Sequence, residues 1–251
     1  MKLVNKLHRM LIKIEYDGHN YSGWQKQNNS ISIQGELERA AKKLTNRETL
    51  VQGSGRTDAG VHAFSQAAHL DVPKNLNERS VVNGLNSWLK NREISVLSAN
   101  KVDDNFHARF DAKERTYIYR ILNRNQHSAL ERHRVWHHRK KLDFVKMQEA
   151  SHIFIGKHDF SSFRSSICQS KSSIRTINSI TLEKEGEEII FTIKARSFLH
   201  HQVRNFVGSL SLIGIGKWEK KDLLRVLNAC KRTEAGPTAP AHGLYLADIK
   251  Y

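Results

Sequence analysis

The segment Gly53–His62, with the sequence GSGRTDAGVH, is the part of the chain whose residue types most clearly suggest chemistry. It places one carboxylate, Asp58, among three glycines within eight positions, so the backbone must turn sharply or approach a ligand closely. Gly55 and Gly60 have the spacing of a nucleotide-binding P-loop, but the next two residues are Val and His, where that loop requires Lys and then Ser or Thr. The alternative to a functional site is a tight turn in which Asp58 caps a helix.

Arg204 is a second residue whose type suggests chemistry. It lies in a predicted helix together with the apolar residues Val203, Phe206, Val207 and Leu210. A guanidinium among such neighbours requires a carboxylate or a phosphate as its partner. The alternative is an Arg at the exposed edge of that helix, since most Arg side chains are exposed.

Two neighbouring histidines, His200 and His201, raise the question of a metal site. We predict that both belong to a helix, on which adjacent side chains point about 100° apart and do not easily share one ion. The two cysteines, Cys168 and Cys230, add no ligand spacing typical of structural zinc. We therefore expect no metal in this protein.

The elements that position these residues are predicted to be a mixture of strands and helices. Ile12–Tyr16 alternates apolar and charged residues as a half-buried strand does, and residues 33–44 carry apolar side chains at helical spacing. Few strand–helix–strand units recur, so the pattern predicts an α+β fold with largely antiparallel sheets. Further strands are predicted at Thr49–Gln52, Gln66–Val72, Ile94–Ser98, Thr116–Leu122 and Gly243–Tyr251, with a hairpin of Ile174–Glu183 and Glu188–Arg196 around Gly186; further helices are predicted at Arg79–Leu89, Phe144–Ile155, Leu199–Ile215 and Asp222–Cys230.

Positive charge is abundant and unevenly distributed. The sequence has 41 Lys and Arg against 25 Asp and Glu, a net charge of +16, which favours a polyanionic partner such as a nucleic acid. We place a domain boundary near residue 108, so that residues 1–107 carry +4 (15 basic, 11 acidic) and residues 108–251 carry +12 (26 basic, 14 acidic). The densest run, Arg109–Lys146, has eleven basic and four acidic residues with interleaved aromatics, which favours an RNA-binding surface over a solvated face.

The N-terminal segment and the cysteine usage predict a cytoplasmic protein. Charged residues, Lys6, Arg9 and Lys13 among them, interrupt the first segment, so it lacks the apolar core of a signal peptide. The sequence contains no run of the ~18 apolar residues that a membrane span needs. Two cysteines without a CxxC pair indicate a reducing compartment.

The sequence GRTDAGVHA, which contains Asp58, resembles the active-site motif of the TruA-type tRNA pseudouridine synthases. Six more blocks resemble signatures of that family, in the family's order and over almost the whole chain. They are Glu15–Gly18 with Tyr21–Gln27, Phe106–Phe110, Tyr117–Tyr119, Asp159–Phe163, His200–Asn205 and Gly243–Leu246.

The resemblance implies a pseudouridine synthase fold: two α/β subdomains, here 1–107 and 108–251, whose largely antiparallel sheets join across a central basic cleft, usually in a homodimer. It also implies the reaction, which converts uridine to pseudouridine at tRNA positions 38, 39 and 40 in the anticodon stem-loop. This is an isomerisation in which the N-glycosidic bond breaks, the uracil turns, and a C–C bond forms. It needs neither metal nor cofactor.

The resemblance also implies roles for individual residues. Asp58 is expected to attack covalently, either the sugar or the uracil ring, and Arg204 is its candidate partner. Tyr117 is expected to pack on the flipped uracil and to serve in proton transfer, although a tyrosine in a strand is otherwise a core residue, as Tyr119 on the same face could also be. Arg56 is expected to help extract the uridine; further candidate tRNA contacts are Arg109, His200 and His201.

Two other functions compete with this interpretation. A non-catalytic tRNA-binding protein or chaperone on the same fold would keep the basic surface, but it would not need Asp58, Tyr117 and Arg204 together. A hydrolase that uses Asp58 with His62 would explain neither the charge nor the other blocks.

Overall fold

The computed structural model describes residues 6–251, in which helices and strands are mixed as the sequence predicts for an α+β protein. The strands are β1 (Leu7–Tyr16), β2 (Gln52–Gly53), β3 (His62–Pro73), β4 (Ile94–Val102), β5 (Glu114–Leu122), β6 (Trp136–His137), β7 (Gly156–Asp159), β8 (Ile174–Glu185), β9 (Glu188–Ala195) and β10 (Leu244–Lys250). The helices are α1 (Ile33–Thr45), α2 (Glu78–Leu89), α3 (Phe144–Ser151), α4 (Gln202–Gly214) and α5 (Lys220–Ala229), with short 3₁₀ turns at His152–Phe154, Ser161–Phe163, Arg232–Glu234 and Ala241–Gly243.

The chain forms two compact units, the first of which contains residues up to Lys113 together with Leu246–Tyr251. Its sheet has the order β4–β1–β3–β10, with β2 paired to β3; β1 runs antiparallel to both β3 and β4. Every second side chain of β1 is buried, as its alternation predicts. The amphipathic helices α1 and α2 pack against each other and cover this sheet through residues such as Leu37, Ala41 and Leu85.

The second unit, Glu114–Tyr245, contains a sheet of order β5–β9–β8–β7 whose neighbours are antiparallel, with β6 added parallel to β5. Helices α3, α4 and α5 pack together on it. Their core is a cluster of four phenylalanines in which the rings of Phe154 and Phe206 stack with centroids 3.9 Å apart; the others are Phe160 and Phe163. Nearly all of α4 is buried, as its apolar sequence predicts.

Three predicted strands are longer than expected: β1 begins at Leu7 instead of Ile12, β3 begins at His62 instead of Gln66, and β4 ends at Val102 instead of Ser98. Three further elements begin or end at other residues than predicted. The first short strand is Gln52–Gly53 instead of Thr49–Gln52, and the helix predicted to reach Ile155 ends at Ser151 and continues as a 3₁₀ turn. Helix α4 begins at Gln202 instead of Leu199, because His201 before it adopts a left-handed conformation with φ of 64°. β6 and β7 were not predicted, since strands of two and four residues leave little periodicity to detect.

Among residues 6–251, no helix has both the length and the apolar character needed to cross a membrane.

Candidate active site

Asp58 lies in the turn that connects β2 to β3. The turn is closed by the amide of Val61, which donates to the Asp58 carbonyl at 3.2 Å, and by Gly60, whose φ of 77° few other residues adopt. The Asp58 side chain is half-buried. A strand follows the turn, so the alternative in which Asp58 caps a helix is wrong.

Thr57, the residue before Asp58, is fixed through both its backbone and its side chain. Its carbonyl accepts from the Trp24 amide at 3.0 Å, and its buried hydroxyl shares a 2.8 Å hydrogen bond with the Tyr16 hydroxyl. Gly23 has φ of 98°, and a Cβ there would lie 2.6 Å from the Thr57 carbonyl oxygen. The Trp24 ring lies against Gly53, where a Cβ would meet it at 2.5 Å. The segment Gly23–Trp24 therefore contacts the loop on both sides of the carboxylate.

The far end of the turn packs against Gly18. A Cβ on Gly18 would lie 2.0 Å from the Val61 carbonyl oxygen, so only glycine fits. Next to it, the buried His62 ring has its Nδ1 3.1 Å from the Gly18 amide nitrogen and 3.0 Å from an Asp17 carboxylate oxygen. These contacts give His62 a structural role in the Asp17–Gly18 turn and speak against the hydrolase interpretation.

Gln66 of β3 holds the beginning of the loop. Its side-chain carbonyl accepts from the Ser54 hydroxyl at 2.7 Å, and its side-chain amide donates to the Gly55 carbonyl at 3.1 Å. Arg56 follows directly, and its side chain is exposed. A fixed backbone therefore carries an exposed cation two residues before the carboxylate.

Arg109 lies in a second segment of the same unit, which a histidine holds in place. Nδ1 of His69, a buried residue of β3, accepts from the Ala108 amide at 3.1 Å. The neighbouring His107 ring lies edge-on to His69, and its Nδ1 accepts from the Arg109 amide at 3.1 Å. Burial lowers the pKa of His69 to about 4, which keeps Nδ1 able to accept at neutral pH. The Arg109 side chain is exposed.

Tyr117 and Tyr119 both occupy buried positions on one face of β5. The Tyr119 hydroxyl donates to the Pro240 carbonyl at 2.8 Å, and its burial raises the pKa of that hydroxyl well above the usual range. These contacts make Tyr119 a core residue, the alternative that the sequence left open. Tyr117 lies edge-on to the ring of Phe198, with centroids 5.0 Å apart.

Arg204 is half-buried in the first turns of α4. Its Nε donates to the Ala239 carbonyl at 2.8 Å, and the Ala239 amide donates back to the Arg204 carbonyl at 3.1 Å. The segment around Ala239 lies very close to the helix, because a Cβ on Gly208 would lie 1.7 Å from the Pro237 carbonyl oxygen. The side chain is thus held by its Nε, unlike an exposed helix Arg.

His200 and His201 precede α4 and do not lie within it. Their rings lie side by side, with centroids 4.0 Å apart and planes inclined by 38°. The expectation that the two side chains diverge on a helix is therefore wrong, because the left-handed backbone at His201 turns the chain before the helix begins.

The basic run 109–146 contains two kinds of cation. Arg120 forms ion pairs with Glu188 and Glu131, and Arg124 pairs with Glu187, so both stabilise the second unit's sheet. The cations of the segment Arg139–Lys141, by contrast, are exposed.

The segment Arg139–Lys141 is held by Asn123, a residue that sequence reasoning missed. The Asn123 amide donates to the carbonyls of His138 and Lys140 at 2.8 and 2.7 Å, and its Oδ1 accepts from the Leu142 amide at 2.9 Å. Because the backbone carbonyls are bound inward, the three cationic side chains are presented to solvent. A lone Asn between a strand and a polar loop gives no signal of this arrangement in the sequence.

Comparisons with known proteins identify the family of the chain. The family model described as tRNA pseudouridine synthase matches residues 12–111 and 150–251. The tRNA pseudouridine synthase A of Maricaulis maris is 47% identical over 97% of this chain and 98% of that protein. That of Rhodospirillum rubrum is 46% identical over 97% and 87%, respectively. A solved Cbf5–Nop10–Gar1 complex matches 80% of this chain and 53% of that chain with 12% identity. Its TM-score of 0.34 is too low for any structural conclusion.

The chain therefore belongs to the tRNA pseudouridine synthase family, as the sequence motifs predict. It is an isomerase that converts uridine in tRNA to pseudouridine.

The lowered pKa of His69 predicts a specific pH dependence of stability. Between pH 6.5 and about 4 the unfolded chain takes up a proton that the folded chain excludes, so the free energy of unfolding falls as pH falls through this window. At about 1.4 kcal/mol per pKa unit, the loss is at most about 3.5 kcal/mol.

Urea unfolding at several pH values measures this effect. His69→Gln is expected to flatten the decline relative to the unmodified chain, whereas His127→Gln, at an exposed histidine, is expected to leave it unchanged. Equal slopes in all three proteins would contradict the assignment to His69.

Proposed function

We propose that this enzyme isomerises uridines 38, 39 and 40 of the tRNA anticodon stem-loop, with Asp58 as its nucleophile. The observation that carries the proposal is the geometry around Asp58. The carboxylate stands on a turn whose neighbouring residue, Thr57, is fixed by two hydrogen bonds and by close packing on Gly23. A nucleophilic carboxylate must be ionised and held in place, and this turn supplies the second requirement. The reaction needs no net oxidant, reductant or co-substrate, because an isomerisation conserves atoms and electrons; that it needs no metal or cofactor is what the family resemblance implies.

The remaining site residues are assigned roles on the same uridine. Asp58 attacks the sugar or the uracil ring, the glycosidic N1–C1′ bond breaks, and the retained uracil turns so that its C5 bonds to C1′. The bond to Asp58 breaks again in the course of the reaction, C5 loses its proton, and N1 ends protonated. Arg204 acts as the partner of the Asp58 carboxylate, and Tyr117 packs on the uracil and serves in proton transfer. Arg56 helps to extract the uridine by taking the position that its base leaves in the stack of neighbouring bases. The support is the fixed orientation of Arg204 by Ala239, the edge contact that holds Tyr117, and the exposure of Arg56.

The tRNA backbone is bound, in this proposal, by exposed cations. These include the segment Arg139–Lys141 and Arg109, with His200 and His201 as further contacts. The proposal includes a central basic cleft between an N-terminal subdomain (1–107), which carries the nucleophile, and a C-terminal subdomain (108–251), which completes the site. It also includes a cytoplasmic homodimer, as the family resemblance implies.

Asp58→Asn and Asp58→Ala are expected to abolish product formation and to leave tRNA affinity within about threefold, because binding depends mainly on phosphate contacts. The measurement is tritium release from tRNA labelled at uridine C5, with affinity determined separately by filter binding. Product formation by Asp58→Ala at the unmodified rate would exclude the nucleophile assignment. A complete lack of tritium release by the unmodified chain, with tRNA still bound, would favour the non-catalytic alternative.

Arg204→Ala is expected to lower kcat by at least about 100-fold, the scale of a lost preorganised electrostatic contact. Arg204→Lys is expected to restore only part of the rate, because an ammonium lacks the planar fork that binds a carboxylate bidentately. Single-turnover rates with saturating enzyme provide the comparison. Arg225→Ala, at an exposed helix Arg that pairs with Glu234, is the control. Equal rates for Arg204→Ala and Arg225→Ala would identify Arg204 as a structural residue.

The segment Arg139–Lys141 is expected to account for part of the salt dependence of tRNA binding. Replacement of its three cations by Ala should reduce the slope of log K against log[salt] by about 2, at ~0.7–0.9 per phosphate contact. The control replaces Lys217, Lys220 and Lys221, three exposed lysines of the same unit, and removes the same net charge. If both triple variants change the slope equally, the effect belongs to net charge and not to this segment.

A further inference from the structure

The hydroxyl of Tyr16 has a partner that the proposed chemistry does not explain. It lies 2.8 Å from the Thr57 hydroxyl, in a buried position where either oxygen can donate. Tyr16 and Thr57 are only 4% and 6% exposed, so water cannot easily replace either partner. Thr57 directly precedes Asp58, so this hydrogen bond connects a side chain of β1 to the turn that carries Asp58.

Tyr16 is itself firmly placed. It is the last residue of β1, and its backbone is paired on both sides, with Ala63 of β3 and with Ile94 of β4. Its ring lies near the buried Trp24 ring, with centroids 6.3 Å apart. A residue held on three sides is a fixed point, so the Tyr16 hydroxyl is a fixed partner for the Thr57 hydroxyl.

The bond to Tyr16 complements the backbone contact of Thr57 with Trp24. The backbone contact holds the Thr57 carbonyl oxygen at one point, but a single hydrogen bond does not fix the rotation of the residue about that point. The hydrogen bond between the hydroxyls of Tyr16 and Thr57 adds a second point of attachment. Two points of attachment fix the orientation of Thr57 and therefore the direction of the backbone that leads to Asp58.

We propose that Tyr16 is a positioning residue: its hydroxyl orients Thr57 and thereby holds the Asp58 carboxylate where it can attack. This inference rests on the proposed role of Asp58 as the nucleophile. Loss of the Tyr16 hydroxyl leaves a buried Thr57 hydroxyl without that partner, and the turn then shifts to find another. Because a displacement of about 1 Å at a reacting group can cost ~10²-fold in rate, Tyr16→Phe is expected to lower kcat by about 10- to 100-fold.

The test compares kcat and KM for tRNA, from steady-state tritium release, in Tyr16→Phe, Thr57→Val, Thr57→Ser and the double variant Tyr16→Phe/Thr57→Val. Tyr21→Phe is a matched control, because Tyr21 lies in the same unit, is 5% exposed, and donates its hydroxyl to Glu93 at 2.9 Å. Urea unfolding of each variant separates rate effects from loss of stability. tRNA affinity is measured in parallel.

The proposal expects similar losses of kcat in Tyr16→Phe and Thr57→Val, no further loss in the double variant, and unchanged KM for tRNA. Thr57→Ser, which keeps the hydroxyl, and Tyr21→Phe are expected to remain within about threefold of the unmodified kcat. Wild-type kcat in Tyr16→Phe, multiplied losses in the double variant, or an equal loss in Tyr21→Phe would each overturn it.

Asp58→Asn distinguishes a failure of the nucleophile assignment from a failure of the role proposed for Tyr16. If that variant retains activity, the proposed nucleophile is wrong, whatever Tyr16→Phe does. If Asp58→Asn is inactive and Tyr16→Phe is fully active, the nucleophile stands and only the role of Tyr16 is rejected.

Discussion

The turn that carries Asp58 depends on the close approach of Gly23 to the backbone of Thr57 and Asp58. A Cβ at Gly23 would lie 2.6 Å from the Thr57 carbonyl oxygen and 3.0 Å from the Asp58 carbonyl carbon, so any side chain would displace the turn. The same segment receives the first amides of α1, since Ile33 donates to Gly23 and Gln34 donates to Trp24. The helix is anchored by its buried apolar face. The carboxylate is therefore positioned by a chain of backbone hydrogen bonds that begins in a packed helix, although it stands on a loop.

The net charge of +16 overstates the number of cations available to RNA. Arg120, between Glu188 and Glu131, and Arg9, against Asp71, are bound in ion pairs within their own units. The carboxylates beside these guanidinium groups raise their pKa despite the opposing effect of burial. Such pairs specify structure and attract phosphate weakly, whereas exposed, unneutralised cations act over about a Debye length and are screened by salt. Location, more than count, determines which basic residues bind tRNA.

Sequence periodicity predicted the long elements well and the short or unusual ones poorly. The apolar spacing of α1 persists over more than ten residues, so local pattern is sufficient there, whereas the alternation predicts only Ile12–Tyr16, the second half of β1. The beginning of α4 was missed because the left-handed backbone of His201 is not encoded by a glycine. The sequence predicts a role for Asp58 because a carboxylate among three glycines is a rare local pattern that also resembles a family motif. It predicts none for Tyr16, because that role depends on a contact with a residue 41 positions away.

The chemistry of the turn suggests why neutral groups hold it. A cation placed where Tyr16 lies could also fix Thr57, but it would compete with Arg204, the proposed partner, for the neighbouring Asp58 carboxylate. An anion there would repel the carboxylate and favour its protonated form. A hydroxyl pair and backbone amides avoid both effects, because they constrain position and add no net charge. The enzyme can then leave the electrostatics of Asp58 to one separate group, which we propose is Arg204. Neutral groups thus hold the turn rigid, and they leave the charge state of the Asp58 carboxylate to its proposed partner.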